Sequence, residues 1–246
     1  MQLHVTGASG FLGRELLRLV PGASGDRIDV CDADAMAAFL HRVRPDTVIH
    51  TAYRQQGPAA WQVNVGGAEN VARAAVTAGA RLVHVSTDIV FDGRKGSPYT
   101  ESDEPNPCTD YGRSKAEAER RVAAANPEAL IVRTSLIIGG PGHERSNHEL
   151  AALDPKATFY ENELRTPVQV TDLARALLEL AAVDIAGTLH VAGADGVSRA
   201  DLAELVAGRS VRRGAAPADR ALDCRLDSSY AARLLGTCPR GIREVF

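Results

Sequence analysis

The sequence predicts an α/β protein, an open doubly wound parallel sheet with a small C-terminal lobe for a substrate. Three observations predict it. Apolar runs of strand length alternate with segments of helical period along most of the chain. A glycine-rich turn, Gly7 to Gly13, stands between the first strand-like run and the first helical one. The length, 246 residues, suits one α/β domain with an appended lobe.

Gln2 to Thr6 alternates in polarity and stops at Gly7, as a first strand should. Gly7-Ala8-Ser9-Gly10-Phe11-Leu12-Gly13 follows, opening a helix whose apolar face carries Leu12, Leu16, Leu17 and Val20. In a Rossmann-type turn the first glycine allows the tight bend, the second lets the backbone approach a pyrophosphate, and the third lets helix and strand pack closely. The helix N-terminus then faces the phosphates. Gly7, Ser9, Gly10, Phe11, Leu12 and Gly13 are therefore cofactor-binding candidates; the bland alternative is an ordinary βα turn. Pro21 to Gly25 is loop, and Arg27 to Val30 is strand-like. A full second strand with an acidic ribose ligand hardly fits there. Ile28 to Val30 is read as the strand that packs by the adenine, with Asp29 near its edge. Arg27 is placed to meet a 2′-phosphate, which favours NADPH, with NADH as the alternative donor.

Asp34 to Val43 is helical and stops before Pro45, with Asp32 and Asp34 as caps. Asp46 to Ala52 is a buried strand, so Thr51 and Ala52 join the cofactor candidates, and Tyr53-Arg54-Gln55-Gln56 fall at the carboxyl edge of the sheet. Trp61 to Ala78 reads as one long helix containing Asn64. Arg81 to Ser86 is the next strand and delivers Thr87 and Asp88 to the same edge. Phe91 to Pro107 is a polar loop long enough to be functional. Tyr111 to Ala125 is a helix and Ala129 to Ser135 a strand. Asn64, Ser86 and Ser135 are also cofactor candidates. Pro141 to Pro167 is irregular except for a short strand at Thr158 to Tyr160. Thr171-Asp172 caps a helix from Leu173 to Ala182, Gly187 to Val191 is a strand, and Ser198 caps a helix through Val206. The Arg-rich tail from Arg209 is only partly periodic. The expected organisation is a dinucleotide-binding core of residues 1–140, to which 168–191 return, and a substrate lobe of residues 141–167 and 192–246.

The chemistry points to Tyr111 and Lys115. At i and i+4 on a helix their Cβ atoms lie about 5–6 Å apart on one face. A cation one turn away favours the phenolate and brings a tyrosine, which titrates near pH 10, towards working pH. That is what a proton donor to a ketone oxygen needs. Thr87, arriving from a strand end, is placed to hold the same oxygen. The chain has only three lysines, Lys95, Lys115 and Lys156, and otherwise writes arginine. A lysine here suits a site needing a compact, tunable ammonium. The bland reading is a solvated helix face.

Composition narrows the classes. A net charge of −3 offers no footprint for nucleic acid or an anionic membrane. The four cysteines, Cys31, Cys108, Cys224 and Cys238, form no Cys-x-x-Cys pair. His143 and His148 with Glu144 lack ligand-pair spacing, so no metal is expected. His4, His50, His84 and His190 sit in strands and read as core or edge histidines. No Gly-x-Ser-x-Gly elbow supports a hydrolase. With no leader-like N-terminus and no apolar run of about 18 residues, a cytoplasmic protein without a membrane partner is expected, as monomer or homodimer.

With these residues assembled, the chain resembles the extended short-chain dehydrogenase/reductase superfamily and, within it, the dTDP-4-dehydrorhamnose reductase family of sugar-nucleotide-binding proteins. The resemblance rests on Thr6 to Gly13, Arg44-Pro45-Asp46-Thr47-Val48-Ile49-His50, Val63-Asn64-Val65, Val83-His84-Val85 with the residues through Gly93, Asn106-Pro107 with Tyr111-Gly112-Arg113-Ser114-Lys115, and Arg133-Thr134-Ser135. Pro167 with Asp172-Leu173-Ala174 also matches. Its most specific part is Ser86-Thr87-Asp88-Ile89-Val90-Phe91-Asp92-Gly93. It implies hydride transfer from NAD(P)H to the ketone of a nucleotide-linked 4-keto-6-deoxy sugar. Tyr111 would protonate the oxygen, Thr87 orient it, and Lys115 hold the nicotinamide ribose. Arg54, Asp88, Ile89 and Arg165 are the substrate-binding candidates. Three departures lie on the substrate side: Ile89 stands where the family usually has tyrosine, Tyr53 to Gln56 replace a Val-Asp…Ala-Glu pattern, and the stretch from Gly142 to Arg165 is shorter. The competing readings are an epimerase or dehydratase that retains NAD, and a non-catalytic NADP-binding regulatory subunit.

Overall fold

The computed structural model describes residues 2–246. The chain divides into two compact units, one of residues 2–86, 110–132 and 177–189, the other of residues 87–109, 133–176 and 190–246.

The first unit holds the parallel sheet. Its strands are β1 (Leu3–Thr6), β2 (Thr47–His50), β3 (Arg81–Thr87), β4 (Leu130–Thr134) and then Gly187–His190, in that spatial order. β1 pairs with β2 from Leu3 opposite Thr47 to Thr6 opposite His50, and β2 pairs with β3 from Thr47 opposite Arg81 to His50 opposite His84. Every residue of β1 and β2 is buried, as expected of strands covered on both faces. The helices are α1 (Phe11–Leu19), α2 (Ala33–Val43), α3 (Ala68–Ala78) and α4 (Asp110–Ala125). Met36, Leu40, Val48, Val71, Leu82 and Val122 share one core cluster. Asp32 caps α2 by accepting the Ala35 N–H at 2.9 Å, as the sequence predicts.

Two expectations for this unit are corrected. Residues 27–30 form no strand. Instead Ser24 makes an isolated bridge to His4, its N–H bonding Leu3 O and its carbonyl accepting from Val5 N, both at 2.9 Å. The chain then turns away, because Gly25 packs against Ala8 and Leu17 and the Asp29 carboxylate takes the Cys31 N–H at 2.9 Å. The segment read as one helix from Trp61 is π-helical over Gln62–Gly67 before it becomes α3.

The second unit is built from short pairings: Val197–Ser198 with Leu164–Arg165, Arg212–Gly214 with Thr158–Tyr160, and Ile137–Ile138 with Val168–Gln169. Within the stretch expected to be irregular lies α5 (Asn147–Leu153), closed by a reciprocal capping box of Ser146 and Glu149. Glu149 also accepts the N–H groups of Gly139 and Gly140, so a buried carboxylate organises the turn before it. Helix α6 (Val170–Ala181) starts before the expected Thr171-Asp172 cap. The Gln169 side chain takes the Thr171 and Asp172 N–H groups, which leaves Asp172 to hold Arg240 at 2.9 Å. Helix α7 (Arg199–Ala207) has the Ser198 cap the sequence predicts. The long loop after Phe91 is tied to the tail by Tyr99, whose N–H bonds Arg225 O and whose carbonyl accepts from Asp227 N, both at 2.7 Å. Among the described residues no helix is long and apolar enough to cross a membrane.

Candidate functional site

In the first unit the glycine turn has the geometry its sequence requires. Gly7 sits at φ +69°, and a Cβ there would lie 2.6 Å from Ala52 N. A Cβ on Gly13 would run into the Gly7 carbonyl. Gly10 is exposed, donates its N–H to Gly7 O at 2.8 Å and precedes α1 without a side-chain cap. The first turn of α1 carries no acidic residue, so its N–H groups and the helix dipole suit an anion. Ser9 is exposed and Phe11 half-buried, whereas Leu12 is buried and belongs to the core. Both β1 and β2 end here, joined by Thr51 Oγ1 donating to Thr6 O at 2.8 Å. Nearby, Arg27 and Asp29 are exposed while Val30 is buried, and the Asn70 amide holds the Val30 carbonyl at 3.0 Å. A small, backbone-lined cradle of this kind fits a dinucleotide.

The other half of the unit's site grows from α4. Tyr111 is half-buried and its ring centroid lies 5.8 Å from that of Tyr53, which is exposed. One turn on, Lys115 is buried, and its ammonium donates to Val85 O at 2.8 Å. His84 Nε2 lies 3.4 Å from the same Nζ. Burial lowers the Lys115 pKa from 10.5 to about 8, and the charge of Glu119 opposes that shift. The ammonium is thus charged at neutral pH but held loosely. Ser86 donates to the Glu119 carboxylate.

Asn64 does something the sequence did not suggest. Its side chain is buried, accepts the Arg54 N–H and donates to Arg54 O, both at 2.8 Å, and donates to Ser114 Oγ at 2.9 Å. Its amide is engaged by protein, and it pins the Tyr53–Arg54 backbone to α4 beside Tyr111. The π-turn brings this side chain to the loop; such turns recur at functional sites.

In the second unit Thr87, Asp88, Ser135 and Arg165 come together. Ser135 Oγ donates to Asp88 Oδ2 at 2.6 Å, and Thr87 Oγ1 donates to Asp88 Oδ1 at 3.1 Å. Burial raises the Asp88 pKa against the pull of Arg165, whose Nε is 3.5 Å away. Arg165 is itself buried and donates to the carbonyls of Leu222 at 2.5 Å and Ala221 at 2.8 Å, so it braces the tail. Ile89 is half-buried beside them in sequence. Around Glu163 gather Arg165 at 3.3 Å, Arg220 at 2.9 Å and Arg199 at 4.0 Å.

The histidines read as core residues are buried, but His84 and His50 also lie against Lys115, a link that becomes visible only once β2, β3 and α4 are assembled. The legible signal was that β1, β2 and β3 each place a polar residue, Thr6, His50 and His84, in the same row of the sheet.

Comparison with known proteins agrees with this architecture. Residues 1–241 match the family described as the RmlD substrate binding domain. The chain is 37% identical over 220 residues to the dTDP-4-dehydrorhamnose reductase of Mycobacterium tuberculosis, an alignment covering 80% of this chain and 72% of that one. It is 28% identical over 236 residues to the beta subunit of methionine adenosyltransferase 2 of Rattus norvegicus, covering 82% and 70%. A hypothetical dTDP-4-dehydrorhamnose reductase from Sulfolobus tokodaii matches with a TM-score of 0.83 at 30% identity, covering 96% of each chain. The reductase of Bacillus anthracis, solved in complex with NADP, shares the fold with a TM-score of 0.85 at 24% identity, covering 99% of this chain and 97% of that one.

Proposed function

The chain belongs to the RmlD substrate-binding-domain family, and on that premise we propose that it is an NADPH-dependent reductase of a nucleotide-linked 4-keto-6-deoxy sugar or a related ketone. The observation that carries the proposal is the Tyr111–Lys115 pair. Lys115 is buried one turn from Tyr111 and has a pKa of about 8. Its charge, in place at neutral pH, favours the phenolate form of the neighbouring tyrosine. Bound NADPH supplies a hydride for the ketone carbon. Tyr111 gives its proton to the oxygen as the negative charge develops there, and the phenolate recovers a proton from solvent. One ketone, one NADPH and one proton yield one alcohol and one NADP+. Thr87 orients the ketone oxygen by hydrogen bonding. Gly7, Gly10, Gly13 and the N-terminus of α1 hold the pyrophosphate, and Arg27 takes the 2′-phosphate. The NADP bound by the Bacillus anthracis protein is consistent with that cofactor.

The arginines of the second unit support a negatively charged substrate. Arg165, Arg199 and Arg220 surround one carboxylate, Glu163, and Arg199 Nη1 is buried without a hydrogen-bond partner among the described residues. Arg220 is half-exposed and Arg165 also faces Asp88, so three guanidiniums stand against two carboxylates, a balance that suits the phosphates of a sugar nucleotide.

A second reading is favoured by the likeness to a protein named as a subunit of another enzyme: NADP binding without turnover. Retention of Tyr111 and Lys115 counts against it. NADPH consumption with a dTDP-4-keto-6-deoxyhexose separates the readings. Turnover by wild type and loss in Tyr111→Phe, with NADPH still bound, is the expected result. Wild-type turnover in Tyr111→Phe refutes the proton-donor role. NADPH binding without turnover moves the assignment to a different ketone or to the regulatory reading. Tightly retained NAD+ in the purified protein would favour an epimerase or dehydratase.

A further inference from the structure

Across β1, β2 and β3 a row of polar side chains leads to Lys115. Thr6 pairs with His50 and His50 with His84 in the strand register. The Thr6 hydroxyl meets His50 Nδ1 at 2.6 Å, and the His50 and His84 rings stack with centroids 5.1 Å apart. Lys115 reaches this row from α4, with Nζ 3.4 Å from His84 Nε2. All four side chains are buried.

We propose that His84 is the positioning residue for Lys115: its Nε2 accepts a hydrogen bond from the ammonium and holds it in place on α4, one helical turn from Tyr111 in sequence. The inference rests on the reading of Lys115 as part of the reductase machinery. The groups facing the ammonium are His84 and the Val85 carbonyl from β3, with the His50 ring of β2 and the Glu119 carboxylate of its own helix close enough to act on it electrostatically. Glu119 favours the charged form, while burial opposes it. Burial, reinforced by the Lys115 charge, holds His84 neutral, and burial pushes His50 down to about 3. Neither ring therefore competes with the lysine as a cation. A neutral imidazole beside an ammonium presents its lone pair, so the His84 ring proton resides on Nδ1. That atom is buried with no partner among the described residues. An apolar residue would avoid the orphaned N–H, so its retention calls for a reason. An acceptor for Lys115 is that reason. Neutral–ionic hydrogen bonds are stronger than neutral–neutral ones. Removing the acceptor therefore costs the charged lysine more than the uncharged one.

The test uses the small number of lysines. With only Lys95, Lys115 and Lys156 in the chain, side-chain-labelled lysine gives three resonances to titrate by NMR. In wild type the Lys115 signal is expected to titrate near about 8. In His84→Leu its midpoint should fall by about one pH unit, and in His84→Gln, which keeps an acceptor, it should stay within about 0.3 of wild type. The alkaline limb of the kcat profile should move with the Leu variant and not with the Gln variant. Should His84→Leu not fold, His84→Met fills similar space and carries the same expectation. An unchanged Lys115 midpoint in the apolar variant overturns the proposal, as does an equal fall in the apolar and Gln variants. The titration is read without substrate, so a failed turnover assay overturns the reductase reading alone.

Discussion

Replacing Lys115 by methionine should abolish reduction and make the protein more stable. Lys115 is buried, and its pKa falls from 10.5 to about 8. At about 1.36 kcal/mol per unit, carrying that charge into the fold costs about 3 kcal/mol. Methionine has a similar length and no charge. The substitution also strips Val85 O of its 2.8 Å donor, which offsets about 1–2 kcal/mol of the gain. The net expectation at pH 7 is a stabilisation of about 1–2 kcal/mol, or about 2–8 °C in melting temperature for a chain of this size. The pH dependence is the sharper part. Below pH 8 lysine is charged in both folded and unfolded chains, and the full cost is present. Between pH 8 and 10.5 the unfolded chain binds more protons than the folded one, so wild-type stability rises with pH and the advantage of Met fades. Urea denaturation of both proteins at pH 7 and at pH 10 measures this. A Met variant less stable than wild type at pH 7, or a difference that does not shrink at pH 10, refutes the account of Lys115 as a strained buried cation.

Two further outcomes follow from the site. Arg27→Ala should weaken NADPH more than NADH in equilibrium binding, and equal losses for both cofactors remove the 2′-phosphate role. Asn64→Leu leaves the Arg54 N–H and carbonyl without their buried partner, so the urea midpoint should correspond to a loss of about 2–4 kcal/mol, with a raised KM for the ketone as the Tyr53–Arg54 loop loosens. A wild-type midpoint in that variant would show that the amide does not pin the loop.

What the sequence disclosed followed local rules. Gly7, Gly10 and Gly13 answer to backbone space within a few residues, and the Tyr111–Lys115 spacing answers to the period of one helix. The parallel sheet was legible because short strand-like runs rich in Leu, Val and Ile alternate with segments of helical period. What stayed hidden depends on partners far along the chain. Residues 27–30 have β propensity, but the turn at Gly25 and the Asp29 side chain take the backbone elsewhere. The π-turn at Gln62–Gly67 accompanies bonds from Asn64 to Arg54 and Ser114, and Ser114 is 50 residues away. The role of Gln169 as a cap in place of Asp172 depends on Arg240 claiming the aspartate. The Ser146–Glu149 box is a local signal, yet it opens a helix of only seven residues inside a polar stretch, too short for a helical period to show. His84 stands in the stretch that carries the resemblance, but its link to Lys115 exists only when β3 and α4 lie side by side.

The division of the chain has a consequence for how the protein is made. The second unit is assembled from three separate segments, and the first unit likewise. No single cut releases either as a continuous fragment, so expressing half of the gene should not produce half of the protein. The last strand of the sheet, Gly187–His190, is synthesised after about three quarters of the 246 residues. Until it arrives, β4 presents an unpaired edge to its surroundings. A chain so interleaved must delay closure of its sheet until that strand has been made, and the exposed edge of β4 is a feature of the growing chain rather than of the folded one.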